Sequence, residues 1–535
     1  MATATAAGSG ATDKHPKGLY VLFGSEMWER YSFYTVNAML ALYLRDTVQG
    51  FGFTNAEATS ISAWYLAAVY ASPLFGGLLA DLFLGFRKSI IIGAIFFIAG
   101  HALLAVPNNI NILYLALGCL VVGNGFFKPN VSSMVGNLYP EGSHLKDKAY
   151  LIFYMGINIG ATLAPIVAGI VQPRYGFHTA FFLGAVGMVI SLIVFVTNTK
   201  HVRQADRVRG KGDFARADGS KGNQGAVATS EDLPPVLNED ARNMAAVPEW
   251  KRIMALIVVF LIVIVFWMIF HQNSLTLTFW ADDHTRWTFL EAGGILSNAI
   301  NPLYIILLSL PLAAFWTWLD KRGKEPSTPT KMMFGMTLTG LSMLVLYFAS
   351  NANGFTGPAF RVIKSDGAQT YVQIAKEARE YLKITMPPTQ VEVIEDGKPV
   401  QKEAWPVTVN GGAMQPGDFV RLESHSPSQI TTGPTTKASL WWLLLLYAVI
   451  SLAELMLSPM GLSLVSKVAP VRWRGLMMGG WFLATAIGNK LTAIGVYWDR
   501  WSHAQFFLTL AIMAWVMAVV LFVLLRPLKK AMPGV

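Results

Sequence analysis

Glu26-Met27-Trp28-Glu29-Arg30-Tyr31-Ser32-Phe33-Tyr34 lies inside an apolar run, residues 20–44, that is long enough to cross a bilayer as a helix. Three ionisable side chains therefore stand among residues that are mostly Leu, Val, Tyr, Phe and Ala. On a helix, Glu26, Glu29, Arg30, Phe33 and Tyr34 fall at i, i+3, i+4, i+7 and i+8, which is one face. A charge at membrane depth costs roughly 3 kcal/mol on insertion scales, so this face must meet a partner or water. The alternative is an interfacial cluster at a helix end. Against it, apolar residues continue for roughly two to three turns beyond the charges, to Leu44.

Working outward, the composition agrees with a membrane setting. The 535 residues are 53% hydrophobic and only 14% charged, unlike an ordinary soluble domain. Runs able to span lie near 20–44, 58–80, 89–106, 111–138, 149–171 and 179–198, and again near 253–280, 296–319, 331–349, 438–464, 475–496 and 505–526. This predicts an all-α membrane protein of about twelve transmembrane helices in two bundles of about six. Residues 1–19 are small, polar and basic, and the first run is too long for a signal h-region, so no cleavable signal is expected. The net charge of +10 suits basic cytoplasmic loops; with no basic soluble domain, nucleic acid is not expected as a partner. Cys119 is the single cysteine, which rules out an intrachain disulfide. No nucleophile–base or metal-ligand spacing occurs, so neither an enzyme nor a metal or other cofactor is expected.

The domain order read from the runs is a tail (1–19), a six-helix bundle (20–198), a linker (199–252), helices seven to nine (253–349), an insert (350–437), helices ten to twelve (438–526) and a second tail (527–535). Lys and Arg gather on alternate loops: Arg87-Lys88, Lys146 and Lys148, the linker, Lys321-Arg322-Lys324, Arg472 and Arg474, and Lys529-Lys530. The positive-inside rule then puts both termini in the cytoplasm and the insert outside. The linker is rich in Gly, Ala, Asp and Arg and lacks an apolar stripe. In the insert, Tyr371–Ile374, Val391–Ile394 and Val407–Val409 read as strands, with Asp396-Gly397 as a hairpin turn. A small β-rich module or a partly ordered loop is expected there.

Several stretches share one resemblance. E-x-x-E-R at Glu26–Arg30, followed by Tyr31 and Phe33-Tyr34, is similar to the first-helix signature of the proton-dependent oligopeptide transporters. These form the peptide and nitrate branch of the major facilitator superfamily. Their usual pattern has Phe at the Tyr31 position and two Tyr at Phe33-Tyr34. Gly76–Lys88 resembles the superfamily loop between helices two and three, with a degenerate echo at Asp320–Lys324. Gly123-Asn124-Gly125-Phe126-Phe127-Lys128-Pro129 resembles the fourth-helix motif, and Phe153-Tyr154-Met155-Gly156-Ile157-Asn158-Ile159-Gly160 the fifth-helix signature. Glu454-Leu455-Met456-Leu457-Ser458-Pro459-Met460-Gly461-Leu462 resembles the tenth-helix motif; Trp481–Asn489, Asn301-Pro302, and Tyr70 three residues before Pro73 are also family-like. The insert and the linker carry no such match. The linker lacks the apolar runs of the two extra helices found in some bacterial members, and the insert is expected to stand outside the transport machinery.

The resemblance implies a major facilitator fold and proton-driven symport of di- and tripeptides by alternating access, across the plasma or bacterial inner membrane, by a monomer without cofactors. It implies that Arg30 and Lys128 receive the peptide carboxylate and Glu454 the ammonium group. Phe33, Tyr34, Tyr70, Asn158, Trp267, Asn301, Ser458 and Trp481 would line the site. Asp81 paired with Arg87 would latch the inner gate, with Lys88 beside them. One departure matters: His271, after Phe266-Trp267, replaces a carboxylate that normally carries a proton. Three roles are open to His271, namely substrate ligand, proton carrier or neutral hydrogen bonder, and Glu26 and Glu29 become rival proton carriers. His101 reads as a structural histidine. Two other readings stand beside peptide symport: transport of nitrate, another small anion or a peptidomimetic, which His271 favours, and a non-transporting nutrient receptor that uses the insert as its sensor.

Overall fold

The computed structural model describes residues 14–106, 109–139, 145–206, 244, 246–288, 292–366, 369–395, 398–412, 414–470 and 473–533. The first half is built from α1 (Lys17–Arg45), α2 (Asn55–Leu79), α3 (Phe86–Leu104), α4 (Ile110–Asn137) and α5 (Leu145–Thr197). α5 is two spans, because Pro173 withholds a backbone donor and Gly176 turns left-handed at φ 83°. The Gln49 side chain accepts the Phe177 N–H at 2.7 Å and so caps the second arm. α2 starts at a full capping box between Thr54 and Glu57.

The second half contains α6 (Glu249–Phe270), α7 (Thr276–Asp283), α8 (Gly293–Asp320) and α9 (Thr328–Ala352). The short α10 (Lys376–Leu382) belongs to the insert, and α11 (Leu440–Val468), α12 (Arg474–Leu491) and α13 (His503–Ala531) complete the set. Span seven, expected to be continuous over 253–280, is broken between α6 and α7 by a 3₁₀ turn at His271–Ser274. Gln272 stabilises the break, donating to the Met268 and Thr492 carbonyls at 3.2 Å each and accepting from Thr276 Oγ1 at 2.8 Å. Discontinuous spans of this kind expose backbone and side chains at membrane depth, where transport proteins place their sites.

Among the described residues, nine helical stretches are long and apolar enough to cross a membrane, the doubled α5 being one of them. α1 and α12 fall outside that criterion because of charges and low hydropathy, yet they pack in their bundles as spans. Close backbone approach holds the first bundle together. Gly156 and Gly160, one turn apart on α5, face α1, and a Cβ on Gly160 would lie 2.2 Å from the Met27 carbonyl oxygen. The two halves meet through α5 with α8 and through α2 with α12.

The described residues of the insert form a small β-rich module. Strands β2 (Ala359–Ser365), β3 (Thr370–Gln373), β5 (Lys398–Val409), β6 (Phe419–His425) and β7 (Ile430–Pro434) close on themselves through a β3–β5 pairing, and β4 (Thr389–Glu395) extends β5. Phe360, Val362, Val372, Trp405, Val407 and Val420 fill the interior. The three expected strands lie in β3, β4 and β5; Asp396-Gly397 lies outside the described residues, but Glu395 pairs with Lys398 on either side of it. A two-residue parallel ladder, β1 (Thr285–Arg286) with β8 (Ala438–Ser439), roots the insert in the second half. Phe355 and Phe419 from the insert pack on His284 with centroids 4.5 Å apart, beside Trp280, Trp498 and His503.

Two contacts reach further than the chain alone suggests. The insert touches the first half, since Thr54 Oγ1 at the start of α2 donates to Glu377 of α10 at 3.3 Å. The linker begins as ordered 3₁₀ turns whose Val202 and Ala205 are fully buried, because they cover an apolar patch on the first bundle. Residues 207–243, where extra helices were not expected, lie outside the described residues, as does Arg472.

Candidate functional site

α1 delivers Glu26, Glu29 and Arg30 to one buried cluster, with Phe33 beneath it. Glu29 holds Arg30 through two bonds of 2.5 Å, from Nε and Nη2, and Glu26 stands 3.6 Å from Nε. All three side chains are at most 2% exposed. Arg30 Nη2 also donates to Asn124 Oδ1 of α4 at 3.2 Å, and Asn124 is fixed in turn by donating to the Val69 carbonyl at 2.8 Å. The guanidinium lies 4.7 Å over the Phe33 ring. Two carboxylates thus face one guanidinium, an arrangement that only hydrogen bonds or a further cation make tolerable away from water. Glu26 has neither oxygen in a hydrogen bond among the described residues, so it is the more loosely held of the two. Lys128, one turn beyond Asn124, places Nζ 5.3 Å from the Tyr70 ring centre.

The opposite half supplies the complementary charge. Glu454 of α11 accepts from Asn301 Nδ2 of α8 at 3.1 Å, and the same amide nitrogen reaches Ser451 Oγ at 2.9 Å. Ser458 follows one turn after Glu454 and is half-buried. Trp481 of α12 meets Phe260 edge-on at 6.2 Å and occupies the space beside Gly461, where a Cβ would lie 1.7 Å from the indole. The glycine of the tenth-helix motif is therefore required by the tryptophan of the next span.

His271 and Tyr70 join the halves. His271 Nδ1 faces the Trp267 carbonyl at 3.1 Å, so this nitrogen carries the proton and donates. Nε2 then faces the Tyr70 hydroxyl at 3.4 Å, and the ring packs against Trp267, Phe270 and Tyr70. Tyr34 and Tyr70 stand within electrostatic reach of both Arg30 and Glu454. Asn158 spends its donor on the Tyr154 carbonyl of its own helix at 2.9 Å. The picture is a cleft with cations and carboxylates on one wall, Glu454 on the other and tyrosines between. A zwitterion is the kind of molecule that satisfies both walls.

On the insert's side the halves are tied shut. Arg45 at the end of α1 pairs with Asp282 and with Asp283 (2.6 Å) at the end of α7, and Asn55 donates to Asp499 at 2.9 Å. Sequence reasoning missed these five residues, together with Asn124 and Ser451. A signal did exist in an acidic pair ending span seven opposite an arginine ending span one. On the far side the structure corrects the expected pairing of Arg87 with Asp81. Arg87 Nε donates instead to Asp206 at 2.8 Å, because Asp206 also accepts the Phe86 and Arg87 N–H groups that open α3. Lys88 is exposed. His101 bonds Ser32 Oγ at 2.5 Å in the bundle interior, away from the cleft.

Fold and cleft define a multi-pass membrane protein of the major facilitator type, two helical bundles around a polar seam. The sequence pattern of the POT family matches residues 87–216, 229–403 and 420–503, and the chain belongs to that family. It is 29% identical to the uncharacterized transporter YclF of Bacillus subtilis over 97% of this chain and 96% of that protein. It is 26% identical to a di-/tripeptide transporter of Lactococcus lactis, with 97% of each covered. A crystal structure of a peptide transporter POT with sulfate superposes with a TM-score of 0.71 at 26% identity, covering 97% of this chain and 96% of that one. A variant of a peptide transporter POT in complex with alafosfalin gives the same TM-score, 0.71, at 27% identity and the same coverage, 97% and 96%.

Proposed function

We propose that this protein moves di- and tripeptides into the cell together with protons, by alternating access, as a monomer driven by the proton gradient without a cofactor. The observation that carries this reading is the opposed arrangement of Arg30 and Lys128 on one half and Glu454 on the other, bridged by the Tyr70–His271 contact. A free peptide spans the two walls with its carboxylate toward Arg30 and Lys128 and its ammonium toward Glu454. Family membership and relatives described as di-/tripeptide transporters support the substrate class. Glu26 and Glu29 exchange their hold on Arg30 for a proton, which frees the guanidinium for substrate; protonated carboxylates cannot pair with it. The alternation of basic loops supports a plasma or bacterial inner membrane setting with both termini cytoplasmic and the insert outside. The tied insert side then makes this the outward-closed conformation.

Two measurements test the reading. Labelled dipeptide should exchange by counterflow in proteoliposomes, which a receptor would not support. Unlabelled dipeptides should compete while free amino acids and nitrate do not, at acidic and neutral pH alike. Displacement by nitrate would favour the second reading, anion transport, whose one supporting observation is His271 in the cleft.

A further inference from the structure

Asp499 lies in the turn between α12 and α13, outside the spans, at the meeting point of three bodies. It accepts the Asn55 amide of the first half at 2.9 Å while belonging to the second half, and Glu377 of the insert is within electrostatic reach. A cavity of about 820 Å³ opens beside it under the insert, with Arg45, Asp283 and Arg361 among its walls.

The charged groups around it are known from each neighbouring element. α1 contributes Arg45, already engaged by Asp282 and Asp283 of α7, and Asp46, which caps the Val48 and Gln49 N–H groups. α2 contributes Glu57, turned into its own capping box, and α10 contributes Glu377. Arg361, Lys402 and Lys437 also line the cavity. Arg500, next in the chain, lays its guanidinium over Tyr497, and His284 and His503 are buried in the aromatic cluster. Asp499 therefore faces carboxylates on two sides, and the nearby arginine is occupied. Burial, reinforced by Asp283 and Glu377 and opposed by the Asn55 bond and Arg45, pushes its carboxyl up to about 6.

We propose that Asp499 is a proton-linked latch of the outer gate, protonated while it holds Asn55 across the closed seam and ionised once the halves part. Opening returns water to the site, and the carboxyl falls back to its ordinary range near 4. The sign follows by linkage: the closed gate binds the proton more tightly, so closure is favoured as the outside pH falls from about 6 toward about 4, and this advantage is lost above about 6. The proton comes from and returns to the outer side, so it sets the gate without adding to the protons carried. The inference rests on the alternating-access reading and on the insert facing outward.

Spin labels on Val48→Cys and Thr288→Cys, one on each half, in a Cys119→Ser background, report the gate by distance without substrate. With Asp499 intact, the ratio of closed to open populations should rise about tenfold from about pH 7.5 to about pH 5. Asp499→Asn keeps an acceptor for Asn55 but cannot titrate, so the ratio should stay flat across that range. Asn55→Asp adds a second carboxylate and should move the transition to higher pH. An unchanged slope in Asp499→Asn, or no upward shift in Asn55→Asp, overturns the latch. The readout needs no peptide, so a flat Asp499→Asn profile in a protein that fails to exchange dipeptide would reject the transport reading and leave the latch standing.

Discussion

Lys128 has no hydrogen bond or ion pair among the described residues and sits over the Tyr70 ring, which leaves its charge for substrate. Lys128→Ala should abolish concentrative dipeptide uptake while the purified protein keeps its elution profile and helical content. Normal uptake under a proton gradient would remove Lys128 from the site. Glu454→Gln keeps the Asn301 bond and loses only the charge, so free peptides should bind roughly ten- to a hundredfold more weakly, as for a lost charge-assisted bond of about 1.5–3 kcal/mol. N-acetylated peptides, having no ammonium, should be little affected, and equal losses for both would mark Glu454 as structural. On sequence grounds Glu29 is the preferred proton carrier, with Glu26 similar or milder; the geometry adds that Glu26 is the more weakly held of the two. Glu29 is locked to Arg30 by two bonds, while Glu26 has only a 3.6 Å approach. Glu26→Gln should keep counterflow and lose proton-driven accumulation, whereas Glu29→Gln should also lower stability by freeing a buried guanidinium. His271→Ala should alter affinity and pH optimum; if it uncouples transport while both Gln variants still accumulate peptide, the histidine is the carrier.

Elements fail or survive according to what they cover. Replacing residues 355–433 by a flexible linker should preserve transport, because the insert carries no family motif. The cost falls on stability, because Phe355 and Phe419 roof His284 and its aromatic neighbours at 4.5 Å. The deletion should lower the melting temperature in detergent, each lost aromatic being worth about 3–5 kcal/mol in a packed core. Keeping Phe355 and Phe419 in a shorter deletion should recover much of that loss. An unchanged melting temperature in the full deletion would show the cluster to be self-sufficient. The break in span seven has a comparable logic: its 3₁₀ turn places His271 beside Tyr70, which a straight helix would not guarantee.

At the scale of the whole molecule, the seam on the insert's side is held by few polar ties, chief among them Arg45 with Asp282 and Asp283. Arg45→Ala leaves two half-buried carboxylates side by side without their cation, so the closed form should lose ground to the open one. The Val48–Thr288 label distance should lengthen, and a distribution identical to the parent would assign closure to other contacts. The spans, their grouping and the charged face of α1 were legible in the chain because the bilayer penalises each buried charge and each unpaired backbone group, which leaves a local mark. The family signatures were legible for the same local reason, each being contained within one helix or, for Gly76–Lys88, within one helix-to-helix connection. What the chain could not display is who faces whom. Arg30 finds Asn124 94 residues away, Asn301 finds Glu454 153 away, His271 finds Tyr70 201 away and Arg45 finds Asp282 237 away. Arg87 takes Asp206 in preference to the nearer Asp81, and the insert crosses to Thr54. Such pairings arise only when whole helices pack, since the side chains involved carry no periodicity that names their partner. Sequence alone determined the helices and the charges they carry; the packing of the two halves decided which charges meet.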